Sequence, residues 1–529
     1  MIRIQNLKLP LQYDEETLRN LTAKKCKIPV SSVEEVILKK RSIDAREQPD
    51  IFYVATVDAR IKGQEKFLKK CKDSRITVAK DPVYHSPEHG ENKLKNPPVI
   101  VGAGPAGLFC AYLLAKEGYA PVLLERGDSV EQRTAAVEHF WKTGELNLSS
   151  NIQFGEGGAG TFSDGKLNTG VKDEFGRNKF VLQTFVDLGA DSDILYVNKP
   201  HIGTDVLRNV IQNLRQEIIN YGGEIHFQSQ VTDFVVENGT LSRITINNDR
   251  QMDCDVLILA IGHSARDTFQ LLEKKGLNMS PKSFAVGLRI EHPQEMINLA
   301  KYGVGQHDLL PAADYKLTRK LDNGRGVYSF CMCPGGYVVN ASSEEHMVAV
   351  NGMSYRNRDA RNANSAMVVT VTPEDFGHPG ILGGVEFQRD LERFACRAGN
   401  GNIPVQLFGD FRQNRSSTSL GDVKPCIKGS YKLTNLREGL PAFLSDSLEK
   451  GILAFENYIQ GFSREDALLS GIESRTSSPV KIHRNSDFTS NIEGIYPCGE
   501  GAGYAGGITS AAMDGLKVAE AVIKKYRNF

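Results

Sequence analysis

Short blocks of alternating apolar and polar residues fill the start of the chain. Ile2, Ile4 and Leu7 predict a strand, and Asp14-Glu15-Glu16 opens a helix running through about Lys25. Val36-Ile37-Leu38 and Ile51 to Val57 predict two more strands, Gln64 to Cys71 a second helix, and Ile76 to Val78 a last strand. The order β-α-β-β-α-β predicts a ferredoxin-like α+β domain over residues 1–80. Residues 81–97 read as a linker, with Pro82, Pro87 and Pro97 among polar side chains.

The pattern then changes. Pro98-Val99-Ile100-Val101 is a continuous apolar run that meets Gly102-Ala103-Gly104-Pro105-Ala106-Gly107, followed by helical spacing through Ala111, Leu114 and Ala115. Strand, G-x-G-x-x-G and helix in that order predict a dinucleotide-binding turn. Gly102 permits the tight turn, Gly104 lets backbone approach a pyrophosphate with Pro105 and Ala106 as further candidate cofactor contacts, and Gly107 lets the helix pack on the strand. A second strand, Val122-Leu123-Leu124, ends in Glu125, 23 residues after Gly102, where an acid accepts the hydroxyls of an adenosine ribose. Arg126, which follows it, is a candidate cofactor contact, and Arg133 is a candidate for pyrophosphate charge.

Three distant segments favour FAD over a nicotinamide dinucleotide alone. Near the C-terminus, Ile495 to Cys498 runs into Gly499-Glu500-Gly501, then Gly506-Gly507-Ile508-Thr509 and a helix through Val522. The acid suits a ribityl hydroxyl, and the helix N-terminus offers partial positive charge to a flavin pyrimidine. Val256 to Ile261 predicts a buried strand meeting a glycine, and Ala260-Ile261-Gly262 resembles the A-x-G turn that closes FAD domains, while Ile225 to Thr232 predicts a strand whose backbone near Val231 is a candidate to meet an adenine edge. Five glycines stand among the thirteen residues of FGEGGAGTFSDGK, 154 to 166. Bare backbone on that scale predicts close approach to a ligand, with Gly158, Ala159, Gly160 and the Thr161 hydroxyl against the diphosphate and flavin edge.

These motifs resemble the glutathione-reductase-type FAD superfamily. The whole chain more closely resembles a bacterial family of uncharacterised FAD-utilising dehydrogenases, through FGEGGAGTFSDGKLNTG at 154–170, SFCMCPGG at 329–336 and ESRTSSPV at 473–480. With the resemblance, the chain reads as an α/β protein with a Rossmann-type FAD-binding domain (98–270 and 485–529), to which the residue pattern adds an inserted α+β substrate or cap domain (271–484) and the N-terminal ferredoxin-like domain. Ala285 to Glu291, Gly336 to Ala341 and Ala349 to Ser354 are expected strands of the inserted domain. No second strand-GxGxxG-helix unit stands between 266 and 490, so NADH or NADPH is expected, at most, as a transient reductant.

Composition narrows the partners. Lys plus Arg and Asp plus Glu number 64 each, so total charge argues for neither nucleic acid nor an acidic membrane. Residues 1–96 carry 20 basic against 14 acidic residues, an excess of 6, which leaves RNA or protein contact through Lys39-Lys40-Arg41 as a minority alternative. The apolar run 256 to 261 is far short of a membrane span, and the opening residues do not read as a signal peptide. Nine cysteines, an odd number, fit a reducing cytoplasm. A small-molecule substrate is the expected partner, and oligomeric state is left open.

Candidate chemistry then follows by position. The disulfide reductases of this superfamily carry a redox cysteine pair in the glycine-rich loop, and none stands here, so that chemistry is not expected. Lys166 is a candidate near flavin N5 or an acidic substrate, His263 an acid or base at the domain turn, and Arg475 a holder of carboxylate or phosphate, with an internal Glu473 to Arg475 pair as the alternative. Cys331 and Cys333 read first as small apolar side chains before a turn, with a redox pair second, and no ligand spacing supports a metal. The expected function is an FAD-dependent oxidoreductase of undefined substrate. The alternatives are a monooxygenase-like or isoprenoid-reductase-like enzyme, or an FAD-containing binding or regulatory protein.

Overall fold

The structure is a computed structural model and describes residues 1–528. Among the described residues, six sheets organise the fold. Strands Ile2–Leu9, Val33–Asp44, Phe52–Ile61 and Ile76–Val78 form one sheet in which Ile2–Leu9 pairs antiparallel with both Phe52–Ile61 and Ile76–Val78. Alternate residues Ile2, Ile4, Val57 and Ala59 are buried, against helices Glu15–Cys26 and Gln64–Lys70. Asp14 caps the first helix through the Thr17 amide, and Lys27 ends it in the left-handed region. The unit docks on the segment 192–198, where Arg41 lies over the rings of Tyr53 at 4.6 Å and Tyr196 at 5.3 Å.

The second sheet positions the site. Its five parallel strands run in the order Ile495–Pro497, Leu257–Leu259, Val99–Val101, Val122–Leu124 and Glu224–His226. Near-continuous apolar runs make these strands because both faces are covered. Helices Pro105–Lys116 and Ile508–Lys525 cross so closely that a Cβ at Gly515 would stand 2.1 Å from the Ala106 carbonyl. Residues 225–232 are not one strand. Gln228, at φ 50°, breaks the run, so its first part joins the parallel sheet and its last opens an antiparallel meander of Val231–Glu237, Thr240–Ile246 and Arg250–Asp253.

Between Leu257–Leu259 and Ile495–Pro497 in sequence lies a seven-stranded, mostly antiparallel sheet. Phe284–Pro293 is its buried centre, between Asn362–Val371 and Leu468–Glu473. Helix Gly383–Gly399 turns Gln388, Leu391, Glu392 and Ala395 inward. Strands Met279–Pro281 and Val480–Ile482 pair antiparallel where the chain passes from one sheet to the other and back.

Candidate functional site

A cavity of about 370 Å³ lies where the parallel sheet, the glycine-rich loop and strands of the seven-stranded sheet meet. Two helices begin at it. Pro105–Lys116 starts from Gly104 and Ile508–Lys525 from Gly507, and neither has a side-chain cap, so the free amides of both first turns make the cavity electropositive. Gly102, at φ 100°, and Gly107 are packing glycines: a Cβ would stand 2.4 Å from the Ala260 carbonyl in one case and 1.9 Å from the Gly102 carbonyl in the other. Gly104 differs, since the nearest atom to its Cβ would be the Gly158 Cα at 3.8 Å. Gly262 and Gly506 have nothing within 4 Å, so a side chain there would enter open space.

Around Glu125 the chain is tied together by one carboxylate. Its oxygens accept from the amides of Ala103 at 2.7 Å, Gly127 at 2.9 Å and Gly155 at 3.0 Å, which fixes strand end, glycine turn and glycine-rich loop to one another. Arg126 lies over Phe154 at 4.5 Å and makes a two-pronged pair with Asp267, at 3.0 Å for each arm. Ser229, Val231, Thr268 and Ala260 complete this part of the wall.

Arg133 and Thr161 do not do what their positions predict. Arg133 does not line the cavity. It is fully buried, and its guanidinium donates to the carbonyls of Asn151, Ile152, Glu156 and Gly158 at 2.6 to 2.9 Å, so it shapes the loop from behind. Burial pushes it down to about 10, still protonated at neutral pH. Thr161 is likewise buried behind the loop, with its carbonyl accepting from the Thr204 hydroxyl. Gly158, Ala159 and Gly160 do face the cavity, and Gly158 at φ 63° lies against Gly104.

The other part of the wall brings together Lys166, Cys331, Glu500, His263 and Arg475. Asp164 and Arg358 form a two-pronged pair, with Nε to Oδ1 at 2.9 Å, and Lys166 stands 3.2 Å from the same carboxylate while donating to the Met332 carbonyl. The Asp164 charge keeps Lys166 protonated against the effect of burial. His263 bonds Ser264 through Nδ1 at 2.9 Å, and burial beside Arg475 and Arg266 pushes it down to about 3. It is therefore neutral at pH 7 and does not serve as a cationic acid. Burial pushes Glu500 up to about 7.

Arg475 does not pair with Glu473. Glu473 pairs with Arg289 at 2.9 Å across the central strands, whereas Arg475 and Arg266 clamp Glu392 from two sides at 2.7 to 3.0 Å. Gly499 and Thr509 stand behind the wall, Gly499 donating to Asp514 at 2.7 Å and Thr509 to the Leu167 carbonyl at 2.7 Å, while Gly507 and Ile508 face the cavity. Sequence reasoning missed Glu392, Arg289 and Asn351. Gln388 and Glu392, four apart on the inward face of an amphipathic helix, are the signal that points to the first.

The donor set fits a dinucleotide. Two uncapped helix N-termini suit a diphosphate, the open glycines admit close approach, and Glu125 and Glu500 stand in the two parts of the wall. Among the described residues, no three His, Cys, Asp or Glu side chains converge to hold a metal, and no helix is long and apolar enough to cross a membrane.

Comparison with known proteins places these observations. Residues 283–476 match the family described as FAD-dependent protein, C-terminal domain-like, residues 100–144 match an NAD(P)-binding Rossmann-like domain, and residues 1–60 match a domain of unknown function. An uncharacterised protein of Clostridium beijerinckii is 48% identical over 99% of each chain. A digeranylgeranylglycerophospholipid reductase of Haloferax volcanii is 26% identical over 62% of this chain and 69% of its own. Among solved structures, a triple mutant of the flavin-dependent brominase Bmp2 is 14% identical with a TM-score of 0.36, covering 81% of this chain and 79% of that one, too distant to bear on function.

Proposed function

This chain belongs to the FAD-dependent protein family, and from that premise we propose that it is an FAD-dependent oxidoreductase acting on a small molecule beside Lys166, Glu500 and Arg475. One observation carries the proposal: two uncapped helix N-termini and an acid at the end of the second parallel strand open on one cavity. FAD, when bound, supplies reversible two-electron transfer.

The chain's own residues supply binding and electrostatics. The amides beginning at Gly104 and the backbone of Gly158 to Gly160 take the diphosphate, Glu125 the adenosine ribose, and Val231 the adenine edge. The N-terminus at Gly507 and Ile508 holds partial positive charge beside the flavin ring. Lys166, kept protonated by Asp164, attracts an anionic or carbonyl group of the substrate. The seven-stranded sheet is read as the substrate domain, with Phe330 and Cys331 closing the cavity from its side and Asn351 from the neighbouring strand Val350–Met353.

A second reading, an isoprenoid-reductase-like enzyme, is favoured by the Haloferax volcanii relative. The two readings differ in substrate and share the flavin. Anaerobic reduction separates them from a purely structural flavin: the yellow protein is expected to bleach with dithionite and with NADH or NADPH. A protein that binds FAD yet resists all three would overturn the enzyme reading.

A further inference from the structure

The strand Gly326–Cys333 is interrupted where it reaches the cavity. It pairs with Asn362–Val371 through Phe330 and Ala366, loses register, and resumes with Cys333 and Asn364. Within that bulge Cys331 takes φ 43°, a left-handed conformation that is strained for a non-glycine residue. Three donors hold it there. Arg289 donates to the Cys331 carbonyl at 3.2 Å, the Cys333 thiol donates to the same carbonyl at 3.2 Å, and Lys166 donates to the next carbonyl, that of Met332.

The bulge changes what the two thiols can do. In an extended strand, residues i and i+2 are about 6.6 Å apart, at the far limit of Cα separation for a disulfide. The bulge turns the Cys333 side chain back on Cys331, its thiol reaching the Cys331 carbonyl at 3.2 Å. Cys331 lines the cavity, and Cys333 is fully buried behind it. Two cations flank the pair: Lys166, and Arg289, whose Nη1 stands 4.0 Å from the Cys333 sulfur. The neighbouring Cys333 thiol and these charges favour the thiolate of Cys331, while the Cys331 neighbour and burial push Cys333 the other way. An inert pair of packed thiols requires neither the strained backbone nor the two cations.

We propose that Cys331 and Cys333 are a dithiol–disulfide couple that exchanges an electron pair with the flavin bound in this cavity, an inference that rests on the flavin reading above. In the oxidising direction, the Cys331 thiolate and the Cys333 thiol each give up one electron. The sulfur–sulfur bond forms, the Cys333 S–H bond breaks, and the electron pair and that proton pass to oxidised flavin. In the reverse direction, the same pair and proton open the disulfide. Lys166 and Arg289 hold the thiolate charge between the two states.

The test uses the full-length yellow protein, with bound FAD per chain measured first. After anaerobic oxidation with a small-molecule disulfide and its removal, dithionite titration of the wild type is expected to consume two electron pairs per flavin. Cys331→Ser and Cys333→Ser should each consume one. Mass spectrometry of the oxidised wild type, with FAD and after its removal, should show Cys331 and Cys333 linked in one peptide and resistant to alkylation. Cys333→Ser, which leaves the Cys331 thiolate facing the ring, should show a long-wavelength charge-transfer band. Full FAD occupancy with a single electron pair consumed and both thiols alkylated would overturn the couple and leave the flavin reading standing. Absence of FAD would instead overturn that reading.

Discussion

Arg133 and Glu156 are joined through the backbone, with the guanidinium donating to the Glu156 carbonyl at 2.6 Å while the Glu156 carboxylate accepts from the Val130 amide at 2.8 Å. Each end of the helix turn at 130 to 133 thus holds the glycine-rich loop. A Cβ at Gly155 would stand 2.4 Å from the Arg133 Cδ, so the loop is bare partly to admit this arginine.

Arg133→Met removes the donor to four buried carbonyls and keeps most of the packed volume. A cost of about 3 kcal/mol is expected, as for breaking a buried charged network, together with weaker FAD retention. Thermal unfolding and flavin content measure both. An unchanged midpoint with full flavin content would show that the loop holds its shape without Arg133.

Glu392 is fully buried between Arg266 and Arg475 and also accepts from the Ser474 hydroxyl at 2.6 Å. Glu392→Gln leaves two guanidinium groups short of their counter-charge, with an expected loss of roughly 3–5 kcal/mol in chemical denaturation. A loss below about 1 kcal/mol would mean that Glu344, which also reaches Arg266, carries the pairing alone.

Glu291 is buried in the central strand and is pushed up to about 7 by burial, with Oε1 unpartnered and Oε2 accepting from Asn362 and the Cys426 amide. A folded pKa above the unfolded value of about 4.3 gives stability that is full below pH 4.3 and is lost as pH rises through 7. Glu291→Gln removes that dependence. Relative to wild type, the variant should gain about 3 kcal/mol between pH 4 and pH 8, read from denaturation midpoints. A constant difference across that range would place the ionised carboxylate in the native state.

The sequence showed the parallel sheet because a buried strand, its glycine turn and the following helix are local features, fixed by contacts such as Gly107 against the Gly102 carbonyl. The glycine-rich loop was legible as bare backbone, but not the division of its residues into those facing the cavity and those, like Thr161, facing Arg133. Arg475 and Glu473 are two apart, yet they pair with Glu392 and Arg289, because successive residues leaving the strand Leu468–Glu473 point to different neighbours. Long-range partners of this kind, set by the crossing of a helix and two sheets, leave no trace in spacing. The break at Gln228 was hidden by its ordinary composition.

Gly104→Asp tests the central claim most directly. The new side chain has room, since the nearest atom to its Cβ is 3.8 Å away, and aspartate is a favoured cap for the helix that begins there, so the protein is expected to fold with undiminished stability. Its carboxylate would occupy the place assigned to the diphosphate. The measurement is FAD bound per folded chain, by absorbance and by titration into flavin-free protein: a folded, colourless variant is predicted beside a yellow wild type, and stoichiometric FAD in Gly104→Asp would contradict the account.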